Sequence, residues 1–381
     1  MTRVRNRRVR EIFAILLSLA VPFSYMVANP AFASSTSPSP AQMAPVTLAR
    51  VPGTAIVYLM GYVKCGPKLC LRLARTTDNG ATFIAVTPPP VAGGTQVQYV
   101  NSYELVFANP EVGFAEVGLV SPSTFYVTFN GAKTWQKEKI PFGNRIEGFA
   151  TTSKNVYAVT VNFEKKLNEG DGGNKDYRLA QSSLTSLHWS STPIPNSNFT
   201  WGFLGPIAAF GSNVWISEQR RHDLLVRSHN SGKTLTTLVL PYPALASTAG
   251  CALTATSLVT LWAQCSTGMD VQFYYSDDGG ARWTLIDPVS QISGTGGAYF
   301  DPVSSNLGYL DVGLLHDDLY RIKNDAHSAK FVGTFKCVDV NPLVFTSEAD
   351  GLALCGGNYN PPSRIFRTTN GGATWTRVTI F

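Results

Sequence analysis

The sequence has little excess charge of either sign once its first 33 residues are set aside. The full chain of 381 residues carries 31 Lys and Arg against 25 Asp and Glu, a formal charge of +6. Residues 1–33 hold five of the basic residues and one of the acidic ones, which leaves 26 against 24 and a formal charge of +2. A balance this close to neutrality gives no electrostatic support for a nucleic-acid or anionic-membrane partner. We therefore expect no nucleic-acid partner.

The chain also lacks the sequence features of several common enzymes and folds. No Gly-x-Ser-x-Gly segment indicates a serine hydrolase, and no His-Glu-x-x-His segment indicates a zinc peptidase. Beyond residue 45 there is no long helical periodicity. Short runs of β-branched and aromatic residues instead alternate with clusters of Gly, Pro, Asn and Ser. This pattern predicts an all-β protein.

The amino terminus carries the one candidate for membrane insertion. A basic start with five arginines is followed by an apolar run from Ile12 to Ala20 and by Ala31-Phe32-Ala33. This order predicts a secretory signal peptide over residues 1–33, cleaved after Ala33. The alternative is a retained anchor, but Pro22 and Asn29 interrupt the run before it reaches spanning length. We expect an extracytoplasmic protein, secreted or at the cell surface, with no stable membrane insertion after cleavage.

Five octapeptides share the pattern Ser/Thr-x-Asp/Asn-x-Gly-x-Thr-Trp, strictly or loosely. They begin at Thr76, Thr128, Ser228, Ser276 and Thr368. Each joins two runs of β-branched and aromatic residues, which predicts a hairpin turn. The Asp or Asn accepts backbone hydrogen bonds, the Gly adopts a positive φ, and the closing aromatic ring covers the hairpin. We therefore predict a structural role for the defining residues: Asp78, Gly80, Asn130, Trp135, Asn230, Gly232, Asp278, Gly280, Trp283, Asn370, Gly372 and Trp375.

Seven units of sequence, 44 to 54 residues apart, end at Phe83, Trp135, Trp189, Leu235, Trp283, Phe331 and Trp375. This spacing is typical of four-stranded propeller blades. We predict one seven-bladed β-propeller of four-stranded antiparallel blades over residues 46–381, after a Ser- and Pro-rich linker over residues 34–45. The third and sixth units have lost the octapeptide pattern. Residues 46–51 either open the first blade or complete the last one, and the sequence leaves both open.

The octapeptides resemble the Asp boxes, or bacterial neuraminidase repeats, of the sialidase-like propeller superfamily. Three copies match well, two match loosely, and together they span most of the predicted propeller. The superfamily contains sialidases, in which three arginines clamp a substrate carboxylate, a Tyr assisted by a Glu is the nucleophile, and an Asp is the acid/base. It also contains assembly factors of photosynthetic membranes. The resemblance thus implies the fold and leaves the activity open.

The arginines of this chain match the sialidase pattern poorly. Many sialidases carry a Phe/Tyr-Arg-Ile-Pro motif before the first Asp box, and residues 44–76 contain none. Tyr320-Arg321-Ile322-Lys323 is similar but lacks the Pro and lies in the sixth unit. Arg75, Arg227, Arg321 and Arg367 recur at one position before the octapeptides. Such repetition favours residues that brace the blades over a substrate clamp.

Alternate loops of a four-stranded blade lie at opposite ends. The octapeptides join strands three and four, so they share one end, here called the octapeptide end, with the loops between strands one and two. The loops between strands two and three lie at the other end, together with the links between blades. We call this the variable end, because its loops differ in length and chemistry. Binding residues are expected where loops vary on a rigid scaffold.

Charged and aromatic residues of the predicted variable-end loops form the candidate binding set: Lys165, Lys166, Asp171, Glu218, Arg220, Arg221, His222, His316, Asp317 and Tyr359. For each charged cluster, a solvated loop tip is the alternative. The oxygen-bearing residues between 168 and 176 do not have the spacing of a calcium-binding loop. We therefore predict no metal and no cofactor.

Six cysteines in a chain predicted to be exported indicate disulfides. Of the 15 possible pairings, the sequential one is the simplest: Cys65–Cys70, Cys251–Cys265 and Cys337–Cys355. Each bridge then stays within one unit and near the variable end. A zinc site is the alternative, which the spacings do not favour.

These features favour a monomeric propeller that binds an unknown protein or glycan without turnover. The alternative is a sialidase-like glycoside hydrolase, which needs two carboxyl groups at a suitable separation.

Overall fold

The computed structural model describes residues 43–66, 68–90, 102–118, 124–139, 142–143, 145–163, 175–195, 203–219, 224–240, 250–267, 270–286, 292–293, 298–313, 317–323, 328–335, 337, 340–356 and 364–380. The predicted signal peptide and residues 34–42 of the predicted linker lie outside these ranges. The first strand begins at Ala44, two residues before the predicted domain boundary. Within the described ranges every regular element is a strand, and no helix is long and apolar enough to cross a membrane.

Seven antiparallel sheets form the seven blades, and each has four strands that are consecutive in the chain; the sheet of blade 5 has a short fifth strand as well. Blades 1 to 3 contain β1 (Ala44–Arg50), β2 (Val57–Cys65), β3 (Lys68–Thr76), β4 (Ile84–Val86), β5 (Ser102–Phe107), β6 (Gly113–Gly118), β7 (Thr124–Thr128), β8 (Gln136–Glu138), β9 (Arg145–Thr151), β10 (Asn155–Phe163), β11 (Lys175–Ser183) and β12 (Ser190–Pro193).

Blades 4 and 5 contain β13 (Phe203–Phe210), β14 (Asn213–Gln219), β15 (Leu224–Ser228), β16 (Thr236–Val239), β17 (Gly250–Ala255), β18 (Leu261–Thr267), β19 (Asp270–Ser276), β20 (Thr284–Leu285) and the short extra strand β21 (Ile292–Ser293). Blades 6 and 7 contain β22 (Ala298–Ser304), β23 (Leu307–Gly313), β24 (Asp317–Lys323), β25 (Ser328–Phe335), β26 (Val340–Phe345), β27 (Gly351–Cys355), β28 (Arg364–Thr368) and β29 (Thr376–Val378). The predicted seven-bladed, all-β propeller is confirmed.

Strands in the middle of a blade are apolar on both faces because each blade lies between two others. In β2, Val57 and Leu59 pack into the core shared with blade 7. Tyr58 and Met60 point to the opposite side and pack into the core shared with blade 2. All four side chains are fully buried. Because successive side chains of a strand point to opposite faces, one segment contributes side chains to two separate cores.

The ring closes through contacts between neighbouring blades. Inner strands of adjacent blades contact one another in six of the seven junctions: β1 with β5, β5 with β9, β9 with β13, β13 with β17, β22 with β26, and β26 with β1. Blades 5 and 6 share a core that includes Phe273 and Ile322. Because β1 pairs with β2, it belongs to blade 1, and the alternative in which it completes blade 7 is wrong.

No described strand is exchanged between the first and last blades, and the side chain of Arg50 in blade 1 helps to close the ring instead. Arg50 at the end of β1 forms an ion pair with Asp301 on β22, with 3.3 Å between Nη1 and Oδ2. Its second guanidinium nitrogen donates to the Pro302 carbonyl at 3.0 Å, and the first donates to the carbonyl of Phe345. Asp301 in turn accepts the backbone N–H of Phe345. Arg50 thus ties blade 1 to blades 6 and 7.

The two units without an octapeptide connect their third and fourth strands differently. In blade 3, residues 184–189 form a tight turn in which Leu187 has a φ of 43° and donates its amide to the Ser183 carbonyl at 3.2 Å. In blade 6, β24 and β25 pair from Lys323–Ser328 to Asp317–Phe335, so only residues 324–327 separate them. Those four residues lie outside the described ranges.

The three predicted disulfides are confirmed, and no described cysteine is free. One bridge closes the hairpin between β2 and β3, a second cross-links facing residues of β17 and β18, and the third joins the segment before β26 to the end of β27. All three lie at the variable end, in blades 1, 5 and 7. Three disulfides in one chain are typical of an oxidising, extracytoplasmic compartment.

Candidate functional site

Hydrogen bonds place the octapeptides at the same end as the turns between strands one and two, as predicted. In blade 7 the amide of Gly371 donates to the carbonyl of Ala349, in the turn between β26 and β27, at 2.8 Å. The equivalent bond in blade 5 joins the amide of Gly279 to the carbonyl of Val259 at 2.7 Å. With the equivalent bonds from Gly131 to Glu111 and from Ser231 to Ser212, both 2.8 Å, four of the five octapeptides are attached in this way to the neighbouring turn of their own blade.

The octapeptide of blade 7 satisfies its polar groups within the turn. The hydroxyl of Thr368 donates to Oδ1 of Asn370 at 3.0 Å and accepts the amide of Gly372 at 2.9 Å. The same Oδ1 accepts the amide of Thr374 at 2.9 Å, while the side-chain amide of Asn370 donates to the Thr374 hydroxyl at 2.9 Å. The opening hydroxyl and the Asn side chain therefore bind the turn from both sides.

The other four copies repeat this pattern closely. The opening hydroxyl accepts the fifth amide in the pairs Thr76–Gly80 (2.8 Å), Thr128–Ala132 (3.0 Å), Ser228–Gly232 (2.8 Å) and Ser276–Gly280 (2.8 Å). The third side chain accepts the seventh amide in the pairs Asp78–Thr82 (2.9 Å), Asn130–Thr134 (2.9 Å), Asn230–Thr234 (2.9 Å) and Asp278–Arg282 (2.8 Å).

Two consecutive residues of each octapeptide adopt a positive φ, where the sequence predicted one. The fourth position holds Asn79, Gly131, Ser231, Gly279 and Gly371, at φ between 54° and 73°. The fifth position holds Gly80, Ala132, Gly232, Gly280 and Gly372, at φ between 63° and 90°. Non-glycine residues at these positions show that hydrogen bonding within the turn offsets the strain of this conformation.

Packing explains why the fifth position is glycine in four of the five copies. A Cβ added to Gly372 would lie 2.0 Å from a methyl carbon of Leu319, which belongs to blade 6. The same approach occurs between Gly80 and Leu352 of blade 7, at 2.4 Å. The fifth position therefore receives a side chain of the preceding blade, and a larger residue would push the two blades apart.

The closing aromatic residue contacts the preceding blade as well as its own hairpin. The Trp135 indole N–H donates to the Thr87 carbonyl of blade 1 at 2.8 Å, and its ring meets Phe107 edge-on at 6.4 Å between centroids. Trp375 meets Phe345 in the same manner at 6.0 Å. These contacts assign the aromatic position to blade packing.

Three of the four repeated arginines bridge to the next blade, which confirms the predicted bracing role for them. The Arg367 Nε–H donates to the Asn79 carbonyl across the junction of blades 7 and 1, at 2.8 Å. Arg227 donates to the Gly279 carbonyl of blade 5 at 3.1 Å. Arg321 forms an ion pair with Glu348 of blade 7 at 3.1 Å. These guanidinium groups are occupied at blade junctions, where they hold the turns of the following blade.

Hydrogen bonds within the turns lower the pKa of the octapeptide carboxyl groups and so favour their ionised form. Hydrogen bonds from the Thr82 hydroxyl and amide lower the pKa of Asp78 to about 2. At Asp278, burial opposes ionisation, but hydrogen bonds from Arg282 and Ser276 outweigh it and lower the pKa. Groups that stay charged at neutral pH and already accept several hydrogen bonds are poorly suited to exchange protons with a substrate.

The candidate binding residues at the variable end lie almost entirely outside the described ranges. Eight of them have no described atoms: Lys165, Lys166, Asp171, Arg220, Arg221, His222, His316 and Tyr359. For Glu218 and Asp317 only the backbone is described. Glu218 lies opposite Leu204 near the end of β14, and Asp317 begins β24 opposite Gly313. Both backbone positions are at the variable end, and the binding role of the whole set stays a prediction.

Sequence reasoning missed an acidic pair at the inner edge of blade 2, in which Glu104 is half-buried and Glu116 is buried. Glu104 on β5 accepts the amide of Phe149, on the inner strand of blade 3, at 3.0 Å. Glu116 on β6 lies directly opposite Glu104 in register and is 5 % exposed. Burial raises the pKa of Glu104 to about 7, a rise that the Phe149 amide opposes and the Glu116 charge reinforces. A Glu within the apolar strand sequence Ser-Tyr-Glu-Leu-Val-Phe was the available signal.

The described residues contain no group of three or more His, Cys, Asp or Glu side chains arranged to hold a metal ion. Two of the buried or half-buried carboxyl groups, those of Asp301 and Glu104, take part in contacts between blades.

Comparison with known proteins finds the fold but no family. No protein-family model matches the chain, and no curated protein matches it. Among solved structures it is similar to YCF48 bound to a D1 peptide, with a TM-score of 0.50, 13% identity, and coverage of 76% of this chain and 86% of that one. It is also similar to an ulvan lyase of polysaccharide lyase family PL25, with a TM-score of 0.55, 10% identity, and coverage of 87% and 95%.

A third neighbour is a puromycin-hydrolysing peptidase of Mycobacterium tuberculosis, with a TM-score of 0.58 and 8% identity. The match covers 88% of this chain and 53% of the peptidase, so the chain corresponds to about half of that protein. At identities this low the similarity concerns architecture, and the neighbours include both a peptide-bound protein and enzymes of two classes. The chain is a seven-bladed β-propeller whose function has to be argued from its own residues.

Proposed function

We propose that this protein is an exported propeller that binds a partner protein at its variable end and performs no chemical step. The observation that carries the proposal is the use of the repeated polar residues. The opening hydroxyls, the Asp and Asn side chains and three of the four repeated arginines are engaged inside turns or between blades. The chemistry that repeats around the ring therefore supports the fold, which leaves recognition to the loops that do not repeat.

The disulfides support the choice of the variable end. Each of them fixes a hairpin or a strand pair beside the loops that differ most between blades. Loops held at their base lose less conformational entropy when they bind, which favours affinity. A peptide-bound structural neighbour is consistent with a protein ligand, and a glycan is the second ligand class that such loops could bind.

Export and superfamily membership are parts of the same proposal. Three disulfides are typical of an oxidising compartment, and the amino-terminal sequence has the order of a cleaved signal peptide. The hydrogen bonding that the five octapeptides share supports a place for this chain among the Asp-box propellers. We expect the exported protein to begin at Ser34 and to be monomeric.

A pair of matched variants tests the binding site. The variable-end variant replaces Glu218, Arg220 and Arg221 with Ala, and the control, with the same change of charge, replaces three exposed residues of the octapeptide end, Glu111, Lys133 and Lys233, with Ala. The immobilised full chain captures partners from the extracytoplasmic fraction of its source cells, and a captured partner is then purified and titrated. We expect the first variant to slow association and change its salt dependence, and the control to bind like the unmodified chain. Equal losses in both variants would contradict a site at the variable end.

One observation favours the alternative function, a glycoside hydrolase. Glu104 has the raised pKa that a general acid requires, and a second carboxyl group, Glu116, lies opposite it. Its contact with the Phe149 amide, however, gives Glu104 a place in the junction of blades 2 and 3. We expect no fluorophore release from aryl sialosides or other aryl glycosides above a buffer control. Turnover that persists through purification and disappears in Glu104→Gln would establish the hydrolase instead.

A further inference from the structure

The outer strand of blade 6 is much longer than the other outer strands. β25 has eight residues, whereas β4, β8, β12, β16, β20 and β29 have two to four. Blade 6 lacks the octapeptide, so its last two strands pair through seven positions, from Lys323–Ser328 to Asp317–Phe335. In blade 6 the absence of the octapeptide thus coincides with a long edge strand, whereas in blade 3, which also lacks it, β12 has four residues.

The outer edge of β25 is available for pairing. It is the last strand of its sheet, and no described strand pairs with its outer side. The middle of β25 lies beside blade 7. Gly333 of β25 is opposite Leu319 in register, and Leu319 packs on Gly372 of blade 7. Ser328 to Phe331 extend from there toward the octapeptide end. An edge strand directs alternate N–H and C=O groups outward, where they can pair with another chain.

The two faces of this edge differ in chemistry. On the face toward blade 5, Phe331 is 51 % exposed, and its ring meets that of Tyr320 at 5.7 Å between centroids. On the face toward blade 7, Lys330 is exposed and lies directly opposite Arg321 in register. An incoming strand would therefore meet an apolar surface on one side and cations on the other.

The cationic face has more positive than negative charge. Arg321 and Lys323 both contact a single oxygen of Glu348. Lys330 has no ion pair among the described residues, so it adds a third cation near one carboxylate. Like charges in facing positions of a strand pair are unfavourable. On the opposite face, toward blade 5, the other half of the strand pair carries a carboxylate, Asp318, which accepts the Thr334 hydroxyl at 2.6 Å.

We propose that the edge of β25 is a docking site for an extended acidic segment of a partner protein, which adds to blade 6 as a fifth strand. Backbone hydrogen bonds along the edge supply affinity, and side chains that alternate between the two faces supply selectivity. An apolar side chain covers Phe331, and carboxylates meet Lys330. In the antiparallel orientation, the carboxylates belong in the carboxyl-terminal half of the segment, opposite Ser328 to Phe331 and away from Asp318.

A second copy of this chain fits the edge less well than an acidic segment. Two β25 strands side by side would bring together two edges that each carry an unpaired Lys330. The contact of one eight-residue strand with another is also small beside the area of roughly 1,200 to 2,000 Å² that stable interfaces bury.

The test uses a fluorescein-labelled peptide, acetyl-Thr-Val-Thr-Val-Glu-Val-Glu-Val-amide, titrated with the full chain by anisotropy. We expect saturable binding that weakens about fivefold or more in Lys330→Glu, because an exposed attractive pair becomes a repulsive one. The matched control is Lys137→Glu, the same charge change on the three-residue outer strand β8. It should leave the affinity unchanged. A peptide methylated at alternate backbone nitrogens should not bind, since it cannot donate to the edge.

Three results would overturn the proposal. The first is no saturable binding up to about 1 mM, the weakest affinity that an edge contact of this kind would have. The second is equal binding by the methylated peptide or equal weakening by the two lysine variants, which would indicate a non-specific charge effect. The third is a Lys330-dependent dimer in sedimentation velocity, which would make a second copy the occupant. The melting temperature of each variant confirms that it is folded.

Discussion

At the octapeptide end, five blades join their third and fourth strands by seven residues each, and all five turns share one set of hydrogen bonds. At the variable end, the sequence between strands two and three ranges from two residues in blade 1, 66–67, to eleven in blade 3, 164–174. The turns of the first end are fixed by their own side chains. At the second end, a disulfide closes the β2–β3 hairpin of blade 1, and in blades 5 and 7 a disulfide joins the first strand, or the segment before it, to the second strand.

This difference separates what the fold requires from what is free to vary. A side chain that fills a turn and touches the preceding blade cannot change without cost, so the same residue types recur around the ring. A loop beside strands that a disulfide already joins does not have to hold those strands together, so the loop can differ between blades and carry recognition. Substitutions at the octapeptide end should therefore change stability, and those at the variable end should change binding.

The largest expected effect is that of Gly372→Val. The new Cβ would lie 2.0 Å from a Leu319 methyl carbon, at a backbone φ of 90°, so overpacking and strain combine. We expect the free energy of unfolding to fall by about 3 kcal/mol or more, measured by urea denaturation. Gly53→Val is the matched control, because Gly53 has a φ of 71° with nothing within 4 Å of an added Cβ. If both changes cost the same, contact with the preceding blade is not what selects glycine.

Removal of the Cys251–Cys265 bridge tests the opposite end. The two cysteines are separated by 14 residues in sequence. Their replacement by Ser should lower the free energy of unfolding by about 3 kcal/mol, because the unfolded chain is no longer constrained. The same variant should also bind its partner less tightly, whereas Gly372→Val should bind normally per folded molecule. Unchanged affinity in the double Ser variant would remove the argument that the bridge positions a binding surface.

A smaller effect is expected for Asn370→Ala. The change removes the oxygen that accepts the Thr368 hydroxyl and the Thr374 amide. The loss should be about 1 kcal/mol, read from the shift in the denaturation midpoint. Asn370→Asp keeps that oxygen, as in the octapeptides of blades 1 and 5, and should be close to neutral. An Asp variant as unstable as the Ala variant would show that the acceptor is not the important group.

The smallest expected effect is a pH dependence at the junction of blades 2 and 3. The folded-state pKa of Glu104, about 7, is above its ordinary value of 4.5, so the folded protein holds this proton more tightly than the unfolded chain. Its contribution to stability is fully present below pH 4.5 and is lost as the pH rises through 7. We expect about 1 kcal/mol, since the side chain is partly exposed. Denaturation curves at several pH values should show this slope, and Glu104→Gln should reduce it. A stability that rises between pH 4.5 and 7 because of Glu104 would contradict the assignment.

Local chemistry made much of this fold predictable. The spacing of the repeated units predicted the number of blades, and the short separation of the cysteines in sequence predicted the disulfide pairing. The recurrence of the arginines gave a bracing role that the structure confirms at Arg227, Arg321 and Arg367. Each of these signals lies within one unit or repeats between units, so it is visible without knowledge of which blades meet.

Long-range pairs were not predictable in the same way. Arg50 and Asp301 are 251 residues apart in sequence, and the sequence around each residue does not indicate which residue it pairs with. The positive φ at the fourth position of each turn was missed because the shared pattern leaves that position open, and Asn79 and Ser231 occupy it in two of the five copies. The length of β25 was missed because the loss of an octapeptide does not say what replaces it. The candidate binding loops fall outside the described ranges, and their residue assignments stay predictions.

Hydrogen–deuterium exchange of the full chain, with and without its captured partner, tests the central claim most directly. Binding at the variable end predicts that added protection concentrates in residues 162–177, 217–223, 312–318 and 355–363. The octapeptide of blade 7, residues 368–375, should exchange at the same rate in both states. Protection confined to the octapeptides, with the four variable-end segments unchanged, would contradict the division of roles between the two ends of the blades.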